Sequence, residues 1–175
     1  KNSLVKGNAA IGGLIGKLEA SSLSGSTNAV NVTIKNFAPE KAASSTYVGV
    51  GGLVGSSYGV TIDSADVYST ISNSYNYGNL TSSQGNGSWQ PCLGGIAGYA
   101  YKTNASNVTN GKADDKNVGN ILITAGGCTG SGGIMGNLTA VNVDTATNYG
   151  NVELSIAMGY PYIGGCFGTL INSTG

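Results

Sequence analysis

Five glycine-framed apolar boxes constrain this chain more than any other feature. Ile11-Gly12-Gly13-Leu14-Ile15-Gly16 is followed by Val50-Gly51-Gly52-Leu53-Val54-Gly55 and Leu93-Gly94-Gly95-Ile96-Ala97-Gly98. Ser131-Gly132-Gly133-Ile134-Met135-Gly136 and Ile163-Gly164-Gly165-Cys166-Phe167-Gly168 complete the set. The boxes recur after 39, 43, 38 and 32 residues, a period typical of solenoids and propellers. Glycine in the doublet lets backbone bend or pass close to a neighbour, and a bulge there would allow residues 11 and 14 both to be buried.

A second element follows each of the first four boxes. It runs from Leu23 to Ile34, from Ile71 to Leu80 and from Val143 to Val152, with a weaker copy from Asn117 to Ile123. Its frame is an apolar residue, an Asn-centred turn and an aliphatic strand. The third copy departs from it, with Lys112 at the first apolar position. Pairs such as Val32 and Ile34, Ile121 and Ile123, and Val152 and Leu154 alternate with period two, the mark of strands with one buried face. No sustained helical period appears. Each repeat therefore holds about three short strands joined by Gly, Asn and Ser turns.

A propeller blade needs four antiparallel strands with hairpin turns. The fixed order of box, Asn turn and strand suits stacking of like on like. The expectation is an all-β, parallel β-helix (a solenoid) of about four to five coils, formed by residues 1–175 as one repeat domain. Like positions then form columns. The principal core ladder is Leu14, Leu53, Ile96, Ile134 and Cys166. Others are Ile11, Val50, Leu93 and Ile163; Leu23, Ile71 and Val143; and Val32, Leu80, Ile121 and Val152. Stacked Asn28, Asn76, Asn117 and Asn148, and stacked Asn31, Asn79, Asn120 and Asn151, would form amide ladders that satisfy turn backbone.

The G-G-apolar-apolar-G box with its Asn-Gly turn resembles the GLUG motif of bacterial cell-surface proteins, which include adhesin-like proteins and an immunoglobulin A-specific peptidase. Gly51-Gly52-Leu53-Val54-Gly55 with Ser74-Tyr75-Asn76-Tyr77-Gly78 is the nearest copy, and the resemblance extends over nearly the whole chain. It implies a right-handed parallel β-helix, secretion, and a surface or stalk role.

Charge narrows the functions. Eight lysines balance eight acids, with no His and no Arg, and only 9% of residues are charged. Nucleic-acid binding needs clustered cations, and anionic membranes need them too. No apolar run approaches the roughly 18 residues of a membrane span, so no membrane insertion is expected. No leader is visible ahead of the repeats, and the chain reads as a mature form or a segment of a longer surface protein.

Catalytic and metal chemistry are not expected. A Ser-His-Asp triad lacks its His, and a Cys nucleophile lacks its partner. Of the acids, only Asp63/Asp66 and Asp114/Asp115 are close in sequence, and both pairs read as solvated loop residues; neither has a calcium-loop signature. Cys92, Cys128 and Cys166 lack zinc spacing. Cys166 reads as a small core hydrophobe, and a Cys92–Cys128 bridge faces a register offset of two residues. No cofactor is expected. Seven N-x-S/T sequons, at Asn31, Asn79, Asn86, Asn104, Asn107, Asn137 and Asn172, would matter only in a eukaryotic secretory route.

Tyr47, Trp89, Tyr160 and Tyr162 fall just before boxes, and a β-helix would gather them on one edge as a ligand-binding strip for sugar rings or a protein partner; packing of loops onto the coil is the competing role. Tyr77 and Tyr149 share a repeat position that suggests stacking between coils. The functional expectation is a non-catalytic extracellular structural or adhesion module of a bacterial surface protein, binding glycan or host surface protein or serving as a stalk. The alternative is a carbohydrate-binding or polysaccharide-processing β-helix.

Overall fold

A computed structural model describes residues 10–34, 48–83, 91–125, 130–155 and 162–175. Among them every regular element is a strand, and the strands form four parallel sheets and one antiparallel hairpin. The first sheet contains Ile11–Gly12, Gly49–Gly51, Cys92–Gly94, Gly130–Gly132 and Ile163–Gly164. The second contains Ile15–Glu19, Val54–Tyr58, Ala97–Tyr101, Met135–Thr139 and Phe167–Ile171. The third contains Ser22–Ser24 with Thr27–Asn28, then Ser69–Asn76, Thr103–Asn110 and Asn142–Asn148. Val32–Ile34, Leu80–Ser83, Ile121–Ala125 and Val152–Leu154 make the fourth. A full repeat thus has four strands, one more than the periodicity suggests.

Each box is a tight arch between the first and second sheets, and its three glycines answer to three different neighbours. A Cβ on Gly51 would strike the Val54 carbonyl across the arch. One on Gly52 would strike the Asn76 carboxamide and the Gly95 carbonyl of the next repeat. One on Gly98 would strike the Val50 amide and the Cys92 carbonyl of the first sheet. The doublet is therefore a corner, not the expected bulge: Gly52 and Leu53 lie between Gly49–Gly51 and Val54–Tyr58. The corner is what allows both Val50 and Leu53 to be fully buried. They enter different apolar clusters.

One cluster joins the second and third sheets through Val54, Ala97, Met135, Ile71 and Val108, with Leu53, Ile96 and Ile134 from the corners. The other joins the first and fourth through Val50, Leu93, Val32, Leu80 and Ile121. Each fully buried aliphatic side chain contributes about 1.5–3 kcal/mol. The Leu14, Leu53, Ile96, Ile134 and Cys166 positions do follow one another, because each residue's amide donates to the carbonyl of the next at 2.8–3.2 Å. Leu53, Ile96 and Ile134 are wholly buried, whereas Leu14 is 45% exposed and Cys166 half-buried. Leu14 is thus no core residue: it lies in the first repeat, where described residues cover it on one side only. The aliphatic column of the first sheet is interrupted by Ser131, which pairs with both Leu93 and Ile163.

Between the clusters, at the tip of the arch, runs a column of carboxamides. Asn28 Nδ2 donates to Asn76 Oδ1 at 2.9 Å, Asn76 Nδ2 to Asn110 Oδ1 at 2.8 Å, and Asn110 Nδ2 to Asn148 Oδ1 at 2.8 Å. Each also closes its own turn, as Asn76 does with the carbonyl and amide of Gly78. The third member is Asn110, not Asn117. The strand Thr103–Asn110 pairs residue for residue with Ser69–Asn76, placing Ala105 at the apolar position assigned to Lys112. Residues 112–118 are an insertion between Asn110-Gly111 and Gly119-Asn120. In the second Asn column the bonding runs from backbone to side chain: Asn79, Asn120 and Asn151 each donate an amide N–H to Oδ1 of Asn31, Asn79 and Asn120, at 2.8–2.9 Å.

Left-handed backbone also stacks. Gly25, Asn73, Asn107 and Thr145 share one register position in the third sheet, with φ of 61°, 47°, 48° and 58°. Asn occupies that region at low cost, whereas β-branched Thr145 is strained there.

Two predictions follow from the arch and its column. Gly95→Ala drives a Cβ into the Asn110 carboxamide and should cost about 2–4 kcal/mol in urea unfolding. Gly165→Ala, at the same box position with nothing within 4 Å, should stay within about 0.5 kcal/mol; equal losses would show that the Asn contact is not what demands glycine. Asn110→Asp removes the two Nδ2 bonds, to Gly119 O and Asn148 Oδ1, and should cost about 3 kcal/mol at pH 7. Burial holds the new carboxyl's folded pKa above its unfolded one, so the folded state binds the proton more tightly and stability falls as pH rises. The variant should recover part of the loss at pH 4.

Candidate functional site

Strand alternation in the third sheet sends Leu23, Ile71, Ala105 and Val143 inward as one column. The residues between them face out. Ser22, Thr70, Asn104 and Asn142 form one outer column, and Ser24, Ser72, Ser106 and Asp144 the next. Side chains link across repeats: Ser72 Oγ to Ser24 Oγ at 3.1 Å, Asn142 Nδ2 to Asn104 Oδ1 at 3.0 Å, and Asn107 Nδ2 to Asn73 Oδ1 at 2.8 Å. The result is a broad hydroxyl and amide face on which Asp144 is the single charge among these positions. Such a face offers donors and acceptors at strand spacing, about 4.8 Å.

Both ends of this sheet carry tyrosines and an insertion. At the start lies the hairpin of Val60–Ile62 and Ala65–Val67, turned at Asp63 and Ser64 with φ of 49° and 65°. Its polar side faces the body: Lys102 Nζ donates to Thr61 Oγ1 at 2.7 Å and pairs with the Asp66 carboxylate, which also accepts from Thr61 at 2.8 Å. The Lys102 hydrogen bond, then the Thr61 one, hold the Asp66 carboxyl below its ordinary pKa, and the same contact raises that of Lys102. Beside it, Lys17 sits 5.4 Å from the Tyr58 ring centroid and Lys102 5.5 Å from that of Tyr101. The Tyr58 and Tyr99 rings are 5.3 Å apart, and burial pushes the Tyr58 phenol up.

At the far end Tyr77, Gly111 and Tyr149 occupy one register position in successive repeats, since Gly111 N donates to Asn76 O and Tyr149 N to Asn110 O, both at 2.8 Å. Tyr77 and Tyr149 are therefore two repeats apart and do not stack on each other as their shared position suggests. Tyr77 instead stacks on Tyr75, with centroids 6.4 Å apart and planes at 26°. Tyr149 is 49% exposed.

Of the aromatic strip read from the sequence, Tyr162 is 58% exposed, and its backbone carbonyl accepts from Ser131 N at 2.8 Å. Tyr47, Trp89 and Tyr160 lie outside the described residues. The next described residues along the chain, Val48, Pro91 and Tyr162, all lead into the first sheet. Asp63 and Asp66 lie on the hairpin, with Asp66 engaged by Lys102. Asp114 pairs with Lys112 at 3.2 Å on the surface. Cys92 is buried and registers with Gly130; Cys128 lies outside the described residues. Among the described residues no three His, Cys, Asp or Glu side chains are grouped to hold a metal ion.

Sequence reasoning missed Tyr58 and Tyr101, although each stands three residues after the last glycine of its box, a signal of shared placement. It also missed the outer face of the third sheet, because the strand Thr103–Asn110 carries few large apolar residues. No protein-family model matches the chain, and no curated protein or solved structure matches it.

The hairpin clasp is open to direct measurement. In a carbon-detected NMR titration the Asp66 carboxyl should titrate below the usual value of about 3.9, and Lys102→Met should move it up toward that value, with the Thr61 hydrogen bond still holding part of the shift. Because the folded pKa is depressed, the clasp's contribution is present above the unfolded pKa and lost as pH falls through the folded one. A midpoint unmoved by Lys102→Met would remove the ion pair as its cause.

Proposed function

We propose that the four sheets wind as a right-handed parallel β-helix of four to five coils, and that the chain is a non-catalytic extracellular module of a bacterial surface protein, adhesive or spacing. The winding is supported by chain order: each of the first four repeats visits the first, second, third and fourth sheet in turn, the fifth adds strands to the first two, and successive repeats pair in parallel. Right-handedness follows from the near-universal hand of parallel crossovers. The cell-surface assignment rests on the likeness of the boxes to the GLUG motif.

The observation that carries the functional reading is the outer face of the third sheet. Four repeats present hydroxyls and carboxamides in continuous columns, nearly without charge. A neutral polar face bordered by tyrosines suits neutral, hydroxyl-rich ligands such as surface glycans, and suits an exposed spacer equally in its solubility. Glycoside hydrolysis typically uses two free, suitably spaced carboxyl groups, and Asp66 is already committed to Lys102.

The test is a glycan and host-protein array probed with the intact chain, run beside a reducing-sugar assay on polysaccharides. Retention on the array without release of reducing ends is the outcome expected of an adhesive module, and no retention that of a spacer. Steady release of reducing ends would replace this proposal with a polysaccharide-processing one.

A further inference from the structure

We infer that Tyr77, Tyr149 and the loop 112–118 between them form a subsite for a single neutral sugar ring. The inference deepens the glycan-binding form of the proposed function and rests on it. The two tyrosines occupy one repeat position, separated by the repeat that carries Gly111 there. Two strand spacings put their backbones about 9.6 Å apart. Gly111, with φ of 78°, contributes no side chain to the interval, and a Cβ on it would meet the Tyr149 Cβ at 3.2 Å.

The chain inserts seven residues at this point and nowhere else along this column among the described repeats. Insertions on one face of a repeat array are frequently where it binds. Lys112, Asp114, Asp115 and Lys116 lie in the insertion, four of the sixteen charged residues of the chain. It is fastened down: Asp115 Oδ1 accepts from Asn117 N at 2.9 Å, Asn79 Nδ2 donates to Asn117 O at 2.8 Å, and Asn120 Nδ2 to Lys116 O at 3.0 Å. A loop held in one conformation loses less entropy on binding. At its crest Lys112 and Asp114 are well exposed and 3.2 Å apart.

This is the combination a sugar ring requires. The C–H faces of a pyranose lie against an aromatic ring, while its hydroxyls both donate to a carboxylate and accept from an ammonium group. The ammonium and carboxylate here cancel, which favours a neutral sugar over a sialylated or sulfated one. Tyr149 offers the exposed ring, and Tyr77 is braced by Tyr75.

The experiment is titration of wild type, Tyr149→Ala, Asp114→Asn and Glu153→Gln with the neutral oligosaccharides that wild type retains on an array. Amide chemical shifts report both affinity and folding. Tyr149→Ala and Asp114→Asn should each weaken binding at least tenfold, with shift changes confined to Tyr77, Gly111–Gly119 and Tyr149, while Glu153→Gln, exposed on the fourth sheet, binds as wild type. Equal binding by Tyr149→Ala, Asp114→Asn and wild type overturns the subsite and leaves glycan adhesion standing. Absence of glycan binding by wild type overturns the subsite and glycan adhesion together and leaves the spacer.

Discussion

Everything in this fold depends on how closely a column of asparagine carboxamides approaches the glycine corner of the box. Asn28, Asn76, Asn110 and Asn148 press against Gly13, Gly52, Gly95 and Gly133, so closely that no side chain fits. The contact explains why two short motifs, far apart in sequence, occur together in the first four repeats. It divides the interior into two apolar clusters. It also supplies partners for turn backbone that burial would otherwise leave unsatisfied. Asparagine is suited to this place because one carboxamide both donates and accepts, and so serves its own turn and its neighbour's together.

The boxes were legible because glycine and aliphatic residues recur in fixed order, and parallel pairing preserves that order as register. The columns at Ile11, Val32 and Leu23 were legible for the same reason. The third repeat was harder. Its strand carries Ala105 where the others carry Leu23, Ile71 and Val143, and the insertion 112–118 moves a second Asn-x-Gly-Asn frame, at Asn117, into view. The clue lay elsewhere: Ser72-Asn73-Ser74-Tyr75-Asn76 and Ser106-Asn107-Val108-Thr109-Asn110 share Ser, Asn and Asn at the same spacing. Left-handed backbone at Asn73 and Asn107 gives that spacing its physical reason.

What sequence could not supply was exposure. Leu14 and Leu53 occupy the same box position, yet one is 45% exposed and the other buried. Burial in a repeat array is a property of having neighbours on both sides, which no single repeat encodes. The same holds for the tyrosines. A shared position says that Tyr77 and Tyr149 lie on one line. Only the count of repeats between them says whether they touch.

The carboxamides of the first Asn column all point the same way, each nitrogen toward the following repeat, until Asn148 Nδ2 meets the Gly165 carbonyl at 2.7 Å. Aligned amide dipoles polarise one another and strengthen as the line lengthens. The stack therefore has an electrical direction as well as a chain direction, acceptor-ended at one pole and donor-ended at the other. A repeat inserted upside down would meet oxygen with oxygen, so the column enforces a single sense of growth that apolar packing alone leaves undetermined.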